Sequence, residues 1–518
     1  MNSKFLENLK NDLPASLVVF FVALPLCLGI ALASGAPIFS GLIAGIIGGI
    51  VVGSLSGSAV GVSGPAAGLT AVVLGSIQSF GSFEVFLSAI VIAGLMQILF
   101  SFMKAGVIAY YFPSSVIKGM LTGIGVIIIL KQIPHAFGYD ADLEGDLAFN
   151  QTDGHNTFSE LVYMLDSITL GAIILSFSSL LLLIFWEKIL SKKHKAFTLI
   201  QGPIVVVFLG YFYQVITSKY IPQLSLAPEH LVQVPVAKDL GSFVGNLQFP
   251  DFSQINNSAV WVTALTIAVV ASLETLLCVE ATDKIDPHKR VTPTNRELFA
   301  QGVGNTLAGL VGGLPITQVI IRSSANIQSG VKSKLSAILH GIFLLVSVLA
   351  IPKILNSIPF ASLAAILLVV GYKLAKPVLF VQIYKLGRGQ FITFLVTVLG
   401  VIFTDLLTGI GLGLAVGIII ILKNSYGNSH FMHIQKEEGG KKNISMNLAE
   451  EVTFLNKGAI LKELNLIPNG THLTIDASES TYIDYDIIEI LEGFRTHASE
   501  RDISVDIKTR QTLETADY

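Results

Sequence analysis

Long apolar runs separated by short polar segments dominate the first 425 residues of the chain. A helix needs about 20 apolar residues to cross the hydrocarbon core of a bilayer. Fourteen runs meet or approach this length, and they begin near Leu13, Phe39, Pro65, Phe83, Ser114, Ile168, Phe197, Ala259, Leu298, Thr317, Leu335, Pro359, Phe391 and Leu406. The pattern predicts an α-helical polytopic membrane domain of about fourteen spans over residues 1–425.

After Lys423 the runs become short, and polar and apolar positions alternate. Four strand-like stretches alternate with two helical ones, in an order typical of a small α/β domain. The strand-like stretches are Phe431–Gln435, Ile444–Leu448, Thr471–Ile475 and Ile503–Ile507, and the helical ones are Asn456–Asn465 and Asp484–Ala498. The sequence therefore predicts a second, soluble domain over residues 430–518.

The charges of the loops indicate how the spans are oriented. Alternate loops are rich in Lys and Arg: Glu187–Lys195, Asp283–Arg290, Lys332–Lys334 and Lys373–Arg388. The loop Pro134–Asp166, on the opposite side, holds seven acidic residues and no Lys or Arg. Cytoplasmic loops carry an excess of Lys and Arg. Both termini are therefore expected in the cytoplasm.

Composition supports a chain that lies largely in lipid. Hydrophobic residues make up 52% of the sequence, charged residues 13%, and the mean hydropathy is +0.69. The net charge of −3, without a basic block, gives no support for nucleic-acid binding. No nucleophile–base pair or metal-ligand spacing stands out in the sequence. We therefore expect neither an enzyme nor a bound cofactor.

An internal repeat points to a binding site. The third and tenth runs, Val62–Gly75 and Gly312–Gly330, are both short and interrupted by Gly and Pro. Each is the third member of a set of seven, and an odd number of spans inverts the second set in the membrane. Interrupted helices at matching places of two inverted repeats mark the substrate site of many transporters. The sequence therefore predicts 7+7 inverted repeats with a site at the two interruptions.

The residue types at these interruptions suit an anion. Helix N-termini present free N–H groups and partial positive charge. In the first interruption, Ala66, Ala67 and Gly68 leave the backbone open to close approach. In the second, Arg322 adds a full positive charge and Ser323 a hydroxyl donor. A charged residue at this depth is by default a functional hypothesis.

Glu274 is a second charged residue at depth, midway along the eighth run. Three roles remain open for it: it carries a proton, it binds sodium together with backbone carbonyls, or it neutralises Arg322. Cys278 lies one helical turn further on. We assign Glu274, Cys278 and Thr70 to the site of a co-transported ion, Na⁺ or H⁺.

Several stretches carry a family resemblance. The segment Asn295–Gly341 closely resembles the signature of the SulP family, the sulfate-permease-type anion transporters. Val22–Gly35 looks like that family's first span, and GPAAGLT, Gly64–Thr70, like its third. The soluble tail resembles the family's STAS domain. The resemblance implies core and gate domains built from the inverted repeats, an elevator-type movement of the core, and a homodimer.

The same resemblance assigns residues to sites. By match of motifs, the family's anion site falls on Ala66, Ala67, Ile321, Arg322 and Ser323. Glu274 falls at the acidic position of the family's eighth span.

Three departures from the family pattern refine the expectation. Sulfate-type members usually have Gln after the first-span proline, whereas Leu26 follows Pro25 here, as in the bicarbonate-transporting branch. That branch pairs an acid with a hydroxyl residue four positions on, where this chain has the thiol of Cys278, a poor sodium ligand. Tyr485 replaces the phosphorylatable serine of signalling STAS domains.

The sequence thus predicts a multi-pass secondary active transporter of the plasma membrane that carries a small inorganic anion, bicarbonate, coupled to sodium or protons. The alternatives are a proton symporter of sulfate or a dicarboxylate, an uncoupled anion channel or exchanger, and a membrane-tethered signalling module. The expected partners are the lipid bilayer, a second copy of the chain, and a cytoplasmic partner of the STAS domain.

Overall fold

A computed structural model describes residues 2–141, 149, 155–193, 201–233, 241, 245, 247–350, 352–438 and 441–509. Within these residues, a helix lies at each of the fourteen predicted positions. The helices, in chain order, are α1 Asn2–Ala33, α2 Ile38–Ile47, α3 Thr70–Phe80, α4 Phe83–Phe102, α5 Ser114–Phe137, α6 Leu170–Phe185, α7 Gly202–Tyr220, α8 Ser258–Ile285, α9 Thr294–Val311, α10 Ile320–Gln328, α11 Leu335–Ala350, α12 Phe360–Leu374, α13 Arg388–Phe403 and α14 Leu406–Gly427.

Eight of the described helical segments are long and apolar enough to cross a bilayer by themselves. Helix α2 reaches this length by continuing through a π turn at Gly48–Val52 to Leu55, and α6 by a similar extension to Lys193. Helices α11 and α13 are apolar but shorter. The predicted start of the seventh span at Phe197 lies outside the described residues. The polytopic helical fold expected from the apolar runs is confirmed.

The third and tenth segments differ from the others because each combines a short strand with a short helix. The strand Ser63–Pro65, β1, precedes a 3₁₀ turn and then α3. The strand Ile316–Gln318, β2, precedes α10, which has only nine residues. The Gly- and Pro-rich interruptions read from the sequence therefore are breaks in helical structure at equivalent places of the two halves.

The helices form two packed groups. In one group α4 packs against α8 and α9, while α1 packs against α2, α10 and α11. In the other, α5 packs against α12 and α13, and α6 packs against α7 and α12. Each group draws equivalent helices from both halves of the membrane region. This is the division into core and gate expected of inverted repeats.

Glycines allow the backbones of α4 and α9 to approach closely. A Cβ atom on Gly94 would lie 2.4 Å from the backbone nitrogen of Thr306, and one on Gly302 would lie 2.8 Å from the carbonyl oxygen of Gly94. A Cβ on Gly309 would lie 2.8 Å from the backbone nitrogen of Val91. Small residues at such contacts are the usual basis of tight helix association in membranes. These contacts fix α9, which carries much of the polar scaffold described below.

The tail has the predicted α/β fold. Its strands are β3 His430–Glu438, β4 Lys441–Leu448, β5 Glu451–Val452, β6 His472–Ala477, β7 Tyr482–Ile483 and β8 Ser504–Thr509. The main sheet has the strand order β3–β4–β6–β8, with β3 antiparallel to β4 and the other neighbours parallel, while β5 and β7 form a small parallel pair. Two helices, α15 Lys457–Leu466 and α16 Tyr485–His497, complete it.

The chain divides into two compact units, residues 1–414 and 415–518. The second unit has its own apolar core, in which Met446, Leu473 and Ile475 of the sheet meet Ile460 and Ile487 of the two helices. Residues 510–518, which the sequence assigns to the soluble domain, lie outside the described residues.

The contact between α4 and α9 generates a stability prediction. Gly94→Ala should lower the unfolding temperature of the detergent-solubilised protein, because the new methyl group meets backbone atoms that cannot move aside. Overpacking of this kind costs about 1–3 kcal/mol. Gly75→Ala is the matched control, since a Cβ there would meet nothing within 4 Å. Equal unfolding temperatures for the two variants would contradict the close packing of α4 on α9.

Candidate functional site

The site is built around the two interrupted segments, which meet as strands. β1 and β2 pair antiparallel, with Ser63 opposite Gln318 and Pro65 opposite Ile316, and all six residues are buried. The pairing continues through a hydrogen bond from the Val319 nitrogen to the Val62 oxygen, 2.9 Å. The non-helical backbone of each repeat is therefore satisfied partly by that of the other repeat and partly by side chains, such as Asn305 for the Ile316 nitrogen and Thr275 for the Gln318 nitrogen.

A short helix leaves each end of this strand pair. The 3₁₀ turn Ala67–Leu69 leads into α3, and α10 begins directly after Val319. The N–H groups of a helix's first turn have no partner within that helix. Two helices thus begin close together in the interior of the membrane unit, each with free N–H groups in its first turn.

A small cavity of about 20 Å³ lies at these N-termini, and it has room for about one water molecule. Its lining comes from the first helix group, from α5 of the second group, and from α14. The lining residues are Leu26, Ile30, Ala67, Ile124, Glu274, Cys278, Val319, Ile320, Ile321, Arg322 and Leu406. Five of the nine predicted site residues therefore border one cavity: Ala67, Ile321, Arg322, Glu274 and Cys278.

Glu274 is the acidic residue of the cavity. Its side chain is 5% exposed, and its Oε2 atom has no hydrogen-bond partner among the described residues. Gly68 does not line the cavity, but a Cβ on it would lie 3.1 Å from Oε2, so this glycine lets the backbone approach the carboxyl group. The Thr317 hydroxyl of β2 is also buried, and it lies beside this carboxyl group. The site therefore holds a buried carboxyl group with the Thr317 hydroxyl and the Gly68 backbone next to it.

Arg322 is the cationic residue, and it is fully buried. Its Nη2 donates to the Cys27 sulfur at 3.2 Å, whereas Nε and Nη1 have no hydrogen-bond partner among the described residues. None of the ion pairs in this part of the chain joins Arg322 to Glu274. The possibility that Glu274 directly neutralises Arg322 is thus not realised in this structure.

The other predicted site residues stabilise the backbone near the cavity. The Ala66 nitrogen donates to Pro315 oxygen at 3.0 Å, and the Thr70 hydroxyl donates to Ala67 oxygen at 2.8 Å. The Ser323 hydroxyl accepts from the Val62 nitrogen at 3.0 Å and donates to Val319 oxygen at 2.8 Å. In this structure Ser323 therefore ties the two repeats together, and its hydroxyl is engaged with the backbone.

A polar scaffold behind β2 was not foreseen as a connected unit. Asn305 of α9 accepts from the Ile316 nitrogen at 2.5 Å and donates to Gln97 of α4 at 2.7 Å. Gln97 in turn donates to Ser272 of α8 at 3.3 Å. Three helices and β2 are joined by this chain of amides and a hydroxyl.

A second chain of polar groups holds β1. Gln301 of α9 donates to the Ser63 hydroxyl at 2.7 Å and to Glu297 at 3.0 Å. Ser56 donates to the other Glu297 oxygen at 2.5 Å. Gln301 and Asn305 lie four residues apart in the sequence, a spacing that places both on one face of α9. The spacing does not indicate their partners, several of which lie on other helices and strands.

Comparison with known proteins identifies the family. The model of the sulfate permease family matches residues 9–397. The chain is 30% identical to the putative sulfate transporter YvdB of Bacillus subtilis, over 81% of this chain and 74% of that protein. It is 23% identical to the bicarbonate transporter BicA of Picosynechococcus, over 88% and 77% of the two chains. The chain therefore belongs to the sulfate permease family of membrane anion transporters, which are not enzymes.

Solved structures agree on the fold. The overall structure of SLC26A9 matches 98% of this chain and 85% of its own with a TM-score of 0.68 at 15% identity. The transmembrane domain of a cyanobacterial BicA matches 79% and 97% with a TM-score of 0.53 at 22% identity.

The contact between Gly68 and Glu274 generates a prediction. Gly68→Leu should abolish transport, because even a Cβ at this position lies 3.1–3.3 Å from the carboxyl atoms and a larger side chain fills the space beside the cavity. Gly75→Leu on α3 is the control, since its Cβ points into open space. Both variants are compared by anion uptake into proteoliposomes after size-exclusion chromatography. Normal uptake by monodisperse Gly68→Leu protein would remove this glycine from the site.

Proposed function

We propose that this member of the sulfate permease family is a secondary active transporter that carries bicarbonate across the plasma membrane. One observation carries the proposal: two helix N-termini and a buried arginine meet at a cavity between the two helix groups. Backbone N–H groups and a positive charge in a water-poor interior favour an anion. The cavity has room for about one water molecule, so it must widen to admit bicarbonate. Its position between the two helix groups allows that widening and lets one group carry the bound anion past the other.

The charge balance of the cavity favours a monovalent anion. Among the described lining residues, Arg322 carries the only positive charge, and Glu274 brings a carboxyl group to the same space. The rest of the lining is mostly apolar, including Leu26, Ile30 and Leu406. Desolvation cost rises with the square of the charge, so a divalent ion needs about fourfold more compensation than a monovalent one of equal size. A single arginine suits bicarbonate better than sulfate.

Sulfate is the second candidate because the relative at 30% identity is named a putative sulfate transporter. Sulfate, or a dicarboxylate, moving with a proton is the corresponding mechanism. An uncoupled channel or exchanger would use the same cavity without a role for Glu274.

The wider assembly follows from the same proposal. The basic loops support cytoplasmic termini, and the two helix groups support an elevator-type movement of the core relative to the gate. We assign the membrane unit to residues 1–425 and a STAS domain to residues 430–518. Two copies form the homodimer, and the STAS domain provides a cytoplasmic surface for a regulatory partner.

The coupling ion is assigned to Glu274, either as a proton on its carboxyl group or as sodium. The burial of the Glu274 carboxyl group, with the Thr317 hydroxyl beside it, supports a bound proton or cation at this place. Thr70 lies on the same α3 segment as Gly68, and the Cys278 thiol contributes a weak ligand. A thiol suits Na⁺ poorly, which favours the proton.

Uptake of labelled bicarbonate into proteoliposomes, with sodium and proton gradients imposed separately, tests the proposal. We expect gradient-driven accumulation of bicarbonate that unlabelled sulfate inhibits weakly, and its loss in Arg322→Gln. Accumulation of sulfate instead would establish the second candidate. Equilibration without accumulation under either gradient would establish the uncoupled mode.

Glu274→Gln should separate coupling from binding. Gln keeps the size and hydrogen-bonding capacity of Glu, so packing at this buried position should survive, while the amide cannot take up a proton or balance sodium. The variant should lose gradient-driven accumulation and keep anion-for-anion exchange, measured in the same vesicles. Full accumulation by Glu274→Gln would refute the coupling role, and a change in anion affinity alone would indicate electrostatic balance with Arg322.

A further inference from the structure

The side chain of Arg322 lies in a narrow space between helices, and none of the described groups that line this space forms an ion pair with it. The guanidinium lies against the backbone of Gly64, where a Cβ would be 2.0 Å from Nη1, and near Gly45, where a Cβ would be 3.8 Å from Nη1. His340 of α11 is close enough to experience its charge. No described carboxylate forms an ion pair with it. The full charge of Arg322 is thus held in the protein interior without a fixed counter-ion.

Cys27 of α1 supplies the one side-chain hydrogen bond that Arg322 makes within the described residues. Its sulfur is fully buried and accepts from Nη2 at 3.2 Å. Sulfur also fits this space tightly, since a Cβ on Gly45 would lie 2.6 Å from it. A thiol is a weak acceptor without formal charge. Cys27 can therefore orient the guanidinium and still leave its charge uncompensated.

A buried arginine without a counter-ion is normally costly, and a carboxylate at hydrogen-bond distance would remove that cost. Here such a carboxylate would compete with any anion that enters the neighbouring cavity. The Nε and Nη1 atoms of Arg322 are buried donors without a hydrogen-bond partner among the described residues, which leaves both available to an anion. The cost of the unpaired charge becomes binding free energy when an anion arrives.

We propose that Cys27 is a positioning residue that fixes Arg322 for anion binding while leaving its charge unneutralised. This inference rests on the proposed function, because it assigns the charge of Arg322 to the transported anion. Cys27 itself does not line the cavity. Its effect on the anion is exerted through Arg322.

Four substitutions of Cys27 test the inference. The side chains of Asp, Asn and Ser are close to Cys in volume, and that of Ala is smaller. Cys27→Asp and Cys27→Asn are nearly isosteric with each other, and Asp brings a negative charge where Asn brings a neutral amide. Cys27→Ser keeps a hydrogen-bond acceptor, and Cys27→Ala removes it. Each variant is purified as the full chain, and its unfolding temperature is measured with and without sodium bicarbonate. Bicarbonate uptake kinetics are measured in proteoliposomes.

The charge pair gives the first readout. Cys27→Asp should unfold at a higher temperature than Cys27→Asn without added anion, because it neutralises a buried cation. The same variant should lose the stabilisation by bicarbonate and bind it at least about 100-fold more weakly. Equal unfolding temperatures and equal bicarbonate affinities for Asp and Asn would overturn the proposal.

The comparison of Cys27→Ser with Cys27→Ala gives the second readout, which remains informative even if Cys27→Asp does not fold. Cys27→Ala should raise KM about tenfold, the equivalent of one hydrogen bond to a charged group, with a much smaller effect on the maximal rate. Cys27→Ser should restore most of the affinity. A wild-type KM in Cys27→Ala, or a loss of maximal rate at unchanged KM, would show that Cys27 serves packing only.

Failure of the proposed function is distinguishable from failure of this inference. If the wild-type chain neither transports bicarbonate nor is stabilised by it, the proposed substrate is wrong. The comparison of Asp and Asn without added anion still decides whether Arg322 is an uncompensated charge that Cys27 contacts.

Discussion

Polar backbone groups in the hydrocarbon region must be hydrogen-bonded inside the protein, because lipid provides neither donors nor acceptors. This constraint governs the whole membrane unit, since both repeats interrupt a helix in its interior. The pairing of β1 with β2 meets the constraint for both repeats at once. The polar groups of α9 then secure each strand, through Asn305 on β2 and Gln301 on β1. Two helices can begin at the cavity because this small sheet provides hydrogen bonds for the non-helical backbone that precedes each of them.

Much of this organisation was readable from the sequence, and the reasons are specific. Apolar runs that meet or approach the spanning length indicated the fourteen helices, and Gly and Pro at matching places indicated both interruptions. Since charged residues are rare at such depth, Arg322 and Glu274 stood out, and both border the cavity. The alternation of short strands and helices likewise predicted the α/β tail.

Other features depend on contacts between residues remote in sequence, which no local pattern reveals. Cys27 reads as one more small apolar residue of the first span, yet its sulfur contacts Arg322. Gln97 is a lone amide in an apolar run, and its role appears only when α9 is packed beside α4. Ser323 was expected to offer its hydroxyl to a ligand, whereas in this structure it binds the backbone of the other repeat. In each case the sequence shows the residue type and its depth in the membrane, but it does not show which residue it contacts.

Two buried groups of opposite charge need not form an ion pair, as Arg322 and Glu274 show. Arg322 and Glu274 border the same cavity without forming an ion pair. A direct bridge would satisfy both and leave little electrostatic attraction for a third charge. Keeping them apart leaves both buried charges without a direct partner, and stability costs of this kind are typical of functional sites.

The residues that hold the strand pair are different from several of those that line the cavity, and this bears on how substrate selectivity can change. The hydrogen bonds that hold β1 and β2 come from side chains on α4, α8 and α9. Leu26 and Ile30 on α1 and Leu406 on α14 face the cavity and take no part in those networks. A substitution at these three positions can alter the size and polarity of the chamber while every bond of the strand pair remains. Selectivity can therefore change through a few wall positions without loss of the hydrogen bonds that hold the strand pair.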